Sequence, residues 1–285
     1  MKSKLWILWI AAIALTLAAG YYQKVTGPTY PKKVTVDIGE KEIPIELIRS
    51  GDVDSTIQIS IPELSYEWSV NLYYRRYPTS DEWSMMPFMI NETGAMVAFL
   101  PSNQPKAGKL EYYIELSNPI TNSNFKVPAD EPVIIRFKGT VPAWALIPHI
   151  IFIFLAMLLS NLTGALAAFK HPKFRLYGII TFFLMLLGGM ILGPVVQKFA
   201  FDAFWTGFPL GYDLTDNKTL IAFIFWLIAI IANYKRERPW ASIVAAVVTL
   251  IIFSIPHSLR GSEFSYETGE VVTGFVKNWG WFRII

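Results

Sequence analysis

Cysteine is absent from the 285-residue chain. This excludes disulfides, thiol catalysis, thiolate metal sites, haem attached through Cys-x-x-Cys-His, and lipid anchoring through cysteine. It leaves the redox compartment open, because an exported domain with an adequate core folds without disulfides. Charge is scarce as well: 16% of residues are Asp, Glu, Lys or Arg, against roughly 25% in soluble domains. The net charge of +3 is too small to argue for nucleic acid. The basic residues sit in short clusters beside apolar runs, which is the pattern of membrane flanks. The sequence contains no phosphate-binding glycine loop, nucleophile elbow or metalloprotease helix motif. What it has in abundance is apolar: 53% of residues are hydrophobic and the mean hydropathy is +0.38. The length accommodates about two domains.

Lys2 and Lys4 precede an apolar run from Leu5 to Ala19. Residues 1–22 therefore read as a signal peptide or an uncleaved signal anchor. Ala18 and Gly20 offer a cleavage site before Tyr21, while Tyr21 and Tyr22 equally fit the interfacial belt of a retained helix. Four further apolar runs, 143–169, 176–196, 219–234 and 240–255, predict an α-helical bundle of four transmembrane spans over 143–256. The last two are close to the minimum of about 17 residues for a span. Direction follows from loop charge. Lys170, Lys173 and Arg175 in loop 170–175, and Lys235, Arg236 and Arg238 in loop 235–239, belong on the cytoplasmic side with Lys2 and Lys4. Segment 197–218 carries Asp202, Asp213 and Asp216 against two lysines, so it belongs outside with the tail 257–285. The expected location is the plasma (inner) membrane, with the lipid bilayer as the first partner.

Residues 29–140 read differently. Short alternating runs occur at Val34–Ile38, Thr56–Ile61, Tyr66–Tyr74, Ala95–Leu100, Leu110–Leu116 and Val133–Phe137. Period-two alternation, β-branched and aromatic residues, and Pro, Gly and Asn breaks mark strands. Several short strands in about 110 residues predict an all-β sandwich of two sheets. On one strand, Tyr112 and Ile114 share a face, with Tyr113 and Glu115 on the other.

The stretches Val70-Asn71-Leu72-Tyr73-Tyr74-Arg75, Trp83, Gly94-Ala95-Met96-Val97-Ala98, Leu100-Pro101 and Ala107 to Glu115 form a pattern over about 50 residues. It resembles the immunoglobulin-like or fibronectin type III-like modules of bacterial surface proteins, in which a Tyr-Tyr-Arg strand precedes a proline and a Glu-Tyr-Tyr-Ile-Glu hairpin. The resemblance implies a fold and an exterior location. It implies no activity, because this fold hosts many functions.

Candidate chemistry is sparse. The predicted spans hold no Asp, Glu, Lys or Arg in their middles, which disfavours a proton- or sodium-coupled pathway. Their polar residues Ser160, Asn161, Thr163, Thr181, Thr249 and Ser254 fit helix–helix hydrogen bonds. Of the three histidines, His171 sits among basic residues in a loop. His149 and His257 each follow a proline at the outer end of a span. At 1.5 Å per residue they lie about 30 and 26 Å above the cytoplasmic rims, and so at similar depth. Two imidazoles at one level suit a metal ion or a haem ligated on both faces, with Glu263, Asp202 or Asp213 available to complete a metal site. The bland alternative is snorkelling to the interface. The loop 197–218 is long and aromatic, and Asp202, Trp205, Tyr212, Asp213 and Asp216 are its candidate ligand-binding residues. The bland account makes its rings an interfacial belt, with Asp216 or Asn217 capping the next helix. In the tail, Phe275, Trp279, Trp281 and Phe282 suit a membrane or sandwich contact.

The leading expectation is a non-enzymatic membrane protein whose sandwich binds another membrane or extracytoplasmic protein. One alternative is a membrane redox or metal- and haem-handling component using His149 and His257. The other is a small-solute transporter or channel subunit with the aromatic loop as its vestibule.

Overall fold

A computed structural model describes residues 5–38, 41–101, 103–257 and 261–272. The chain divides into two units, one of helices and one β-rich. Of the described residues, the helical unit takes those in 5–28 and 141–262, and the β-rich unit takes those in 29–140 with 263–272. The aromatic end of the tail lies outside the described residues.

Strands form where side chains alternate. In the β-rich unit, β1 (Lys32–Ile38) pairs with β2 (Lys41–Leu47) as an antiparallel hairpin. In β2, Ile43, Ile45 and Leu47 point inward while Pro44 and Glu46 point out. A larger sheet runs β3 (Ser50–Asp52), β11 (Val133–Lys138), β9 (Lys109–Asn118), β5 (Ser69–Arg76), β6 (Ser84–Pro87), with β10 (Ser123–Val127) also on β9. A third sheet orders β4 (Ile57–Ile61), β8 (Met96–Leu100) and β7 (Met89–Ile90). The inward residues of these sheets meet in one core that includes Leu47, Ile59, Leu72, Leu100, Ile114 and Phe137. A last hairpin, β12 (Glu263–Ser265) with β13 (Glu270–Val272), comes from the tail. Phe264 N–H donates to Ala107 O, and Tyr266 OH donates to Lys109 O.

The register of β5 against β9 explains the Tyr-Tyr-Arg and Glu-Tyr-Tyr-Ile-Glu segments. Tyr73 lies directly opposite Tyr113, and their rings stack at 5.0 Å. Trp83 meets Tyr113 edge-on at 4.9 Å, and Arg75 lies 4.4 Å over Trp83. Arg75 also pairs with Glu111 at 2.5 Å. Cross-strand aromatic and charge pairs of this kind each stabilise a sheet by roughly 0.2–1 kcal/mol. The opposite face of β9 goes inward: Tyr112 is fully buried and its OH donates to Ile48 O at 2.9 Å.

Four helices are long and apolar enough to cross a membrane: Leu5–Val25, Ala143–Ala168, Phe174–Phe201 and Leu214–Lys235. These are α1; α2; a composite of α3 (Phe174–Met185), a π-helical turn (Leu186–Leu192) and α4 (Gly193–Phe201); and α5. The fifth apolar helix, α6 (Pro239–Ser254), is shorter. Two boundaries differ from the sequence expectation. The run 176–196 extends to Phe201, and the run 219–234 begins at Leu214, so the connection between them shrinks from 197–218 to 202–213. The segments were missed because their Lys, Gln, Asp and Thr lower hydropathy, whereas helix continuation needs only backbone hydrogen bonds and a cap.

The helices bury small residues and expose large apolar ones such as Ile10, Leu17, Ile151, Phe183 and Ile231. This inverts a soluble protein's surface. α2 packs against α1, α3 and α6. A Cβ placed on Gly164 would fall 2.6 Å from Ala246 Cβ, so α2 and α6 approach nearly backbone to backbone. Polar groups are shared between helices. Asn161 Nδ2 donates to Thr16 Oγ1 at 3.0 Å, joining α2 to α1, and Trp226 Nε1 donates to Thr249 Oγ1 at 3.0 Å, joining α5 to α6.

Two outcomes follow. Gly164→Leu separates α2 from α6 and lowers the melting temperature of the detergent-solubilised chain, at a cost of about 1–3 kcal/mol or more. Val247→Leu, on an open face of α6, leaves it unchanged. Burial pushes the Tyr112 phenol well above its usual range. The folded state therefore disfavours the phenolate, and this contribution is present below about pH 10 and lost as pH rises past it. Tyr112→Phe removes that part of the alkaline loss in a thermal titration, while costing about 1 kcal/mol at neutral pH.

Candidate functional site

The polar groups of the helical unit concentrate at one end, where the connection 202–213, the start of α5, the end of α6 and the π-helical turn lie. Asp213 opens α5. It is the N-cap in place of the expected Asp216 or Asn217, and its Oδ1 accepts from Thr215 N–H at 2.8 Å and Asp216 N–H at 3.4 Å. Its Oδ2 accepts from Ser262 N–H at 3.0 Å. Asp216, freed from capping, turns back to the connection. Its Oδ2 accepts from Thr206 N–H at 2.6 Å and Thr206 Oγ1 at 3.1 Å. Gln197 Nε2 donates to Thr206 Oγ1 at 2.5 Å. Asn217 Oδ1 accepts from Phe208 N–H at 2.7 Å. A Cβ on Gly207 would fall 2.6 Å from Asp216 Cβ, so only glycine lets the connection come this close. Both carboxylates are buried and satisfied chiefly by backbone N–H groups. This is how buried charge is tolerated.

Below them lies a basic group. Lys218 is almost completely enclosed, and its Nζ donates to Ile255 O at 2.7 Å and Pro256 O at 3.5 Å. It thereby serves the orphan carbonyls where α6 ends, as a cation suits a helix C-terminus. His149 Nδ1 lies 2.8 Å from Gly188 O. A carbonyl only accepts, so Nδ1 carries the proton, and in the neutral ring Nε2 keeps a lone pair. Gly188 sits in the π-helical turn, where Gly193 N–H reaches back to it. Glycine is required at this position: a Cβ on Gly188 would fall 2.8 Å from Phe152 Cβ on α2. Single π-helical turns recur at functional sites. His257 keeps open surface. Burial by the protein atoms around it, and then the positive charge of Lys218, hold it in its neutral form.

No protein-family model matches the chain, and no curated protein is significantly similar to it. Geometry alone therefore describes this site. Among the described residues, no group of three or more His, Asp and Glu gathers to hold a metal. Glu263 belongs to the β-rich unit, where its carboxylate lies 2.9 Å from Lys109 Nζ. Asp202 is mostly exposed, ends α4 in a left-handed conformation at φ 65°, and pairs with Lys198 at 3.0 Å. Trp205 Nε1 donates to Phe208 O at 3.0 Å, and Tyr212 is exposed. Of the five loop candidates, Asp213 and Asp216 are the two that these hydrogen bonds bring together. Sequence reasoning missed Thr206, Gln197, Lys218, Ser262 and the Gly188 carbonyl. Only Lys218, one turn into an apolar helix, carried a signal, as an ionisable residue near a span.

Asp213→Ala strips the α5 cap and leaves Ser262 N–H without its carboxylate. Thermal unfolding in detergent is expected to show a loss of about 1–2 kcal/mol. Asp202→Ala, at an exposed ion pair, is expected to change stability by less than about 0.5 kcal/mol.

Proposed function

We propose that this chain is a multi-pass protein of the plasma (inner) membrane whose β-rich unit is an extracytoplasmic, immunoglobulin-like sandwich that docks another membrane or extracytoplasmic protein. The helices anchor it, with α1 retained: cleavage would forfeit the Asn161–Thr16 hydrogen bond between α2 and α1. The basic loops 170–175 and 235–239 favour the cytoplasmic side for those ends, which puts residues 29–140 outside.

One observation carries the docking role. The segment from Ser84 to Ile90 crosses from one sheet to another and is the open edge of both, as β6 and then β7. Met85, Met89 and Ile90 on it are 56%, 59% and 65% exposed. An open edge with large apolar side chains is an aggregation hazard unless a partner covers it. Its unpaired backbone groups and flexible methionines suit strand addition by a second protein.

The test is the size of the native complex. Extracted in mild detergent from its own membranes, the chain is expected to migrate in an assembly larger than a monomer. Ile90→Lys returns it to monomer size while leaving the thermal stability of the chain nearly unchanged. A wild-type chain recovered only as a monomer overturns the reading.

A second reading draws on the paired imidazoles. His149 Nε2 keeps its lone pair and His257 is held neutral, and two such nitrogens suit a haem iron or a metal ion. Protein purified from native membrane would then show a Soret band or stoichiometric metal, both lost in His257→Ala. Colourless, metal-free protein removes this reading.

A further inference from the structure

At the opposite end of the helical unit, α3 begins where α5 ends, and one contact ties them: an Arg175 guanidinium N–H donates to Tyr234 O at 2.8 Å. Beside it, α3, α5 and α6 leave a cleft of about 70 Å³. Its walls are Ile179, Trp226, Ala229 and Ile230, with Arg175 and Tyr234 at the rim. Gly178 lets the α3 wall come close to α5, since a Cβ there would fall 3.3 Å from the Trp226 ring. The volume holds roughly two water-sized groups, which suits a few carbons of a hydrocarbon chain. The polar groups at its base already serve the fold: Asn233 Nδ2 donates to Ala229 O at 2.8 Å, and Asn233 Oδ1 accepts from Arg238 N–H at 2.6 Å.

The chain next to Arg175 and Tyr234 is strongly cationic. Lys173 and Arg175 begin α3, Lys170 lies three residues before Lys173, and Lys235, Arg236 and Arg238 follow Tyr234, against one carboxylate, Glu237. All six cations except Arg175 are exposed. Arg175 is half-buried, with one hydrogen bond among the described residues and a planar fork of five N–H donors. A guanidinium held at the mouth of an apolar cleft matches an anionic oxygen group attached to an alkyl chain.

We propose that this cleft is a binding site for an anionic phospholipid, with the phosphate on Arg175 and the first part of one acyl chain against Ile179, Ala229, Ile230 and the Trp226 ring. The proposal rests on the reading that these helices lie in a bilayer. Charge complementarity chooses the lipid: a zwitterionic headgroup gains less from six clustered cations than an anionic one does.

Native mass spectrometry of the full chain in mild detergent, titrated with phosphatidylglycerol or with phosphatidylcholine, tests it. One phosphatidylglycerol is expected to be retained about tenfold more tightly than phosphatidylcholine, as a charge-assisted contact implies. Arg175→Ala collapses that preference to about twofold or less, whereas Lys198→Ala, at the other end of the helices, preserves it. Ile179→Trp, which fills the cleft from its open side without touching the Arg175–Tyr234 contact, weakens both lipids and serves if Arg175→Ala does not fold. Equal retention of the two lipids, or an unchanged preference in Arg175→Ala, overturns the site. Displacement of the lipid by millimolar inorganic phosphate assigns the cations to a free anion and overturns it as well. Alkaline carbonate extraction separates the underlying reading: a chain that leaves the membrane fraction refutes bilayer insertion itself, whereas a retained chain without lipid preference refutes only the cleft.

Discussion

Hydrocarbon offers a peptide group no hydrogen-bond partner, and the helices long and apolar enough to cross a membrane are built as that constraint requires. Each apolar run closes its backbone bonds internally as a helix, and its polar side chains find one another across helix contacts. Asn161 reaches Thr16, Trp226 reaches Thr249, and Asn233 serves both Ala229 and the start of α6. Small residues fill the contacts because packing, with little hydrophobic gain available between lipid-like surfaces, depends on close approach. Gly164 against Ala246 is the tightest case.

Where the helices end, the same constraint produces the polar cluster. The N–H groups opening α5 and the carbonyls closing α6 both need partners. Asp213 serves the first and Lys218 the second. Asp216, relieved of capping, holds Thr206 and with it the connection 202–213. The site is therefore first a solution to helix termination. Its spare capacity lies in the neutral imidazoles, since His149 spends Nδ1 on the Gly188 carbonyl and keeps Nε2.

The β-rich unit solves a different problem. Its core is filled from several sheets, and its outer face carries the stacked Tyr73 and Tyr113 with Arg75 over Trp83. These contacts leave the aromatic ladder largely self-satisfied. The segment Ser84–Ile90 is not, because it lies at the end of two sheets with apolar side chains outward. The contrast between a paired face and an open edge is why the docking role is assigned to the edge.

The sequence determined the things that depend on local periodicity. Hydropathy marked the apolar helices, period two marked β1, β4, β5, β8, β9 and β11, and alternation put Tyr112 and Ile114 on one face, which the fold turns inward. Strand β2 escaped because Pro44 interrupts its pattern. Proline is tolerated there, facing outward in a hairpin of only two strands. Tertiary structure alone decided what joins residues distant in sequence. Phe152 on α2 leaves room only for glycine at 188 in the π-helical turn, and the β12–β13 hairpin is held through Ala107 and Lys109, more than 150 residues away. Asp213 rather than Asp216 became the cap because Thr206, Gly207 and Ser262 were there to occupy the second carboxylate and complete the first. Periodicity is written in neighbours along the chain, whereas a hydrogen-bond partner is fixed only when the fold brings it within about 3 Å.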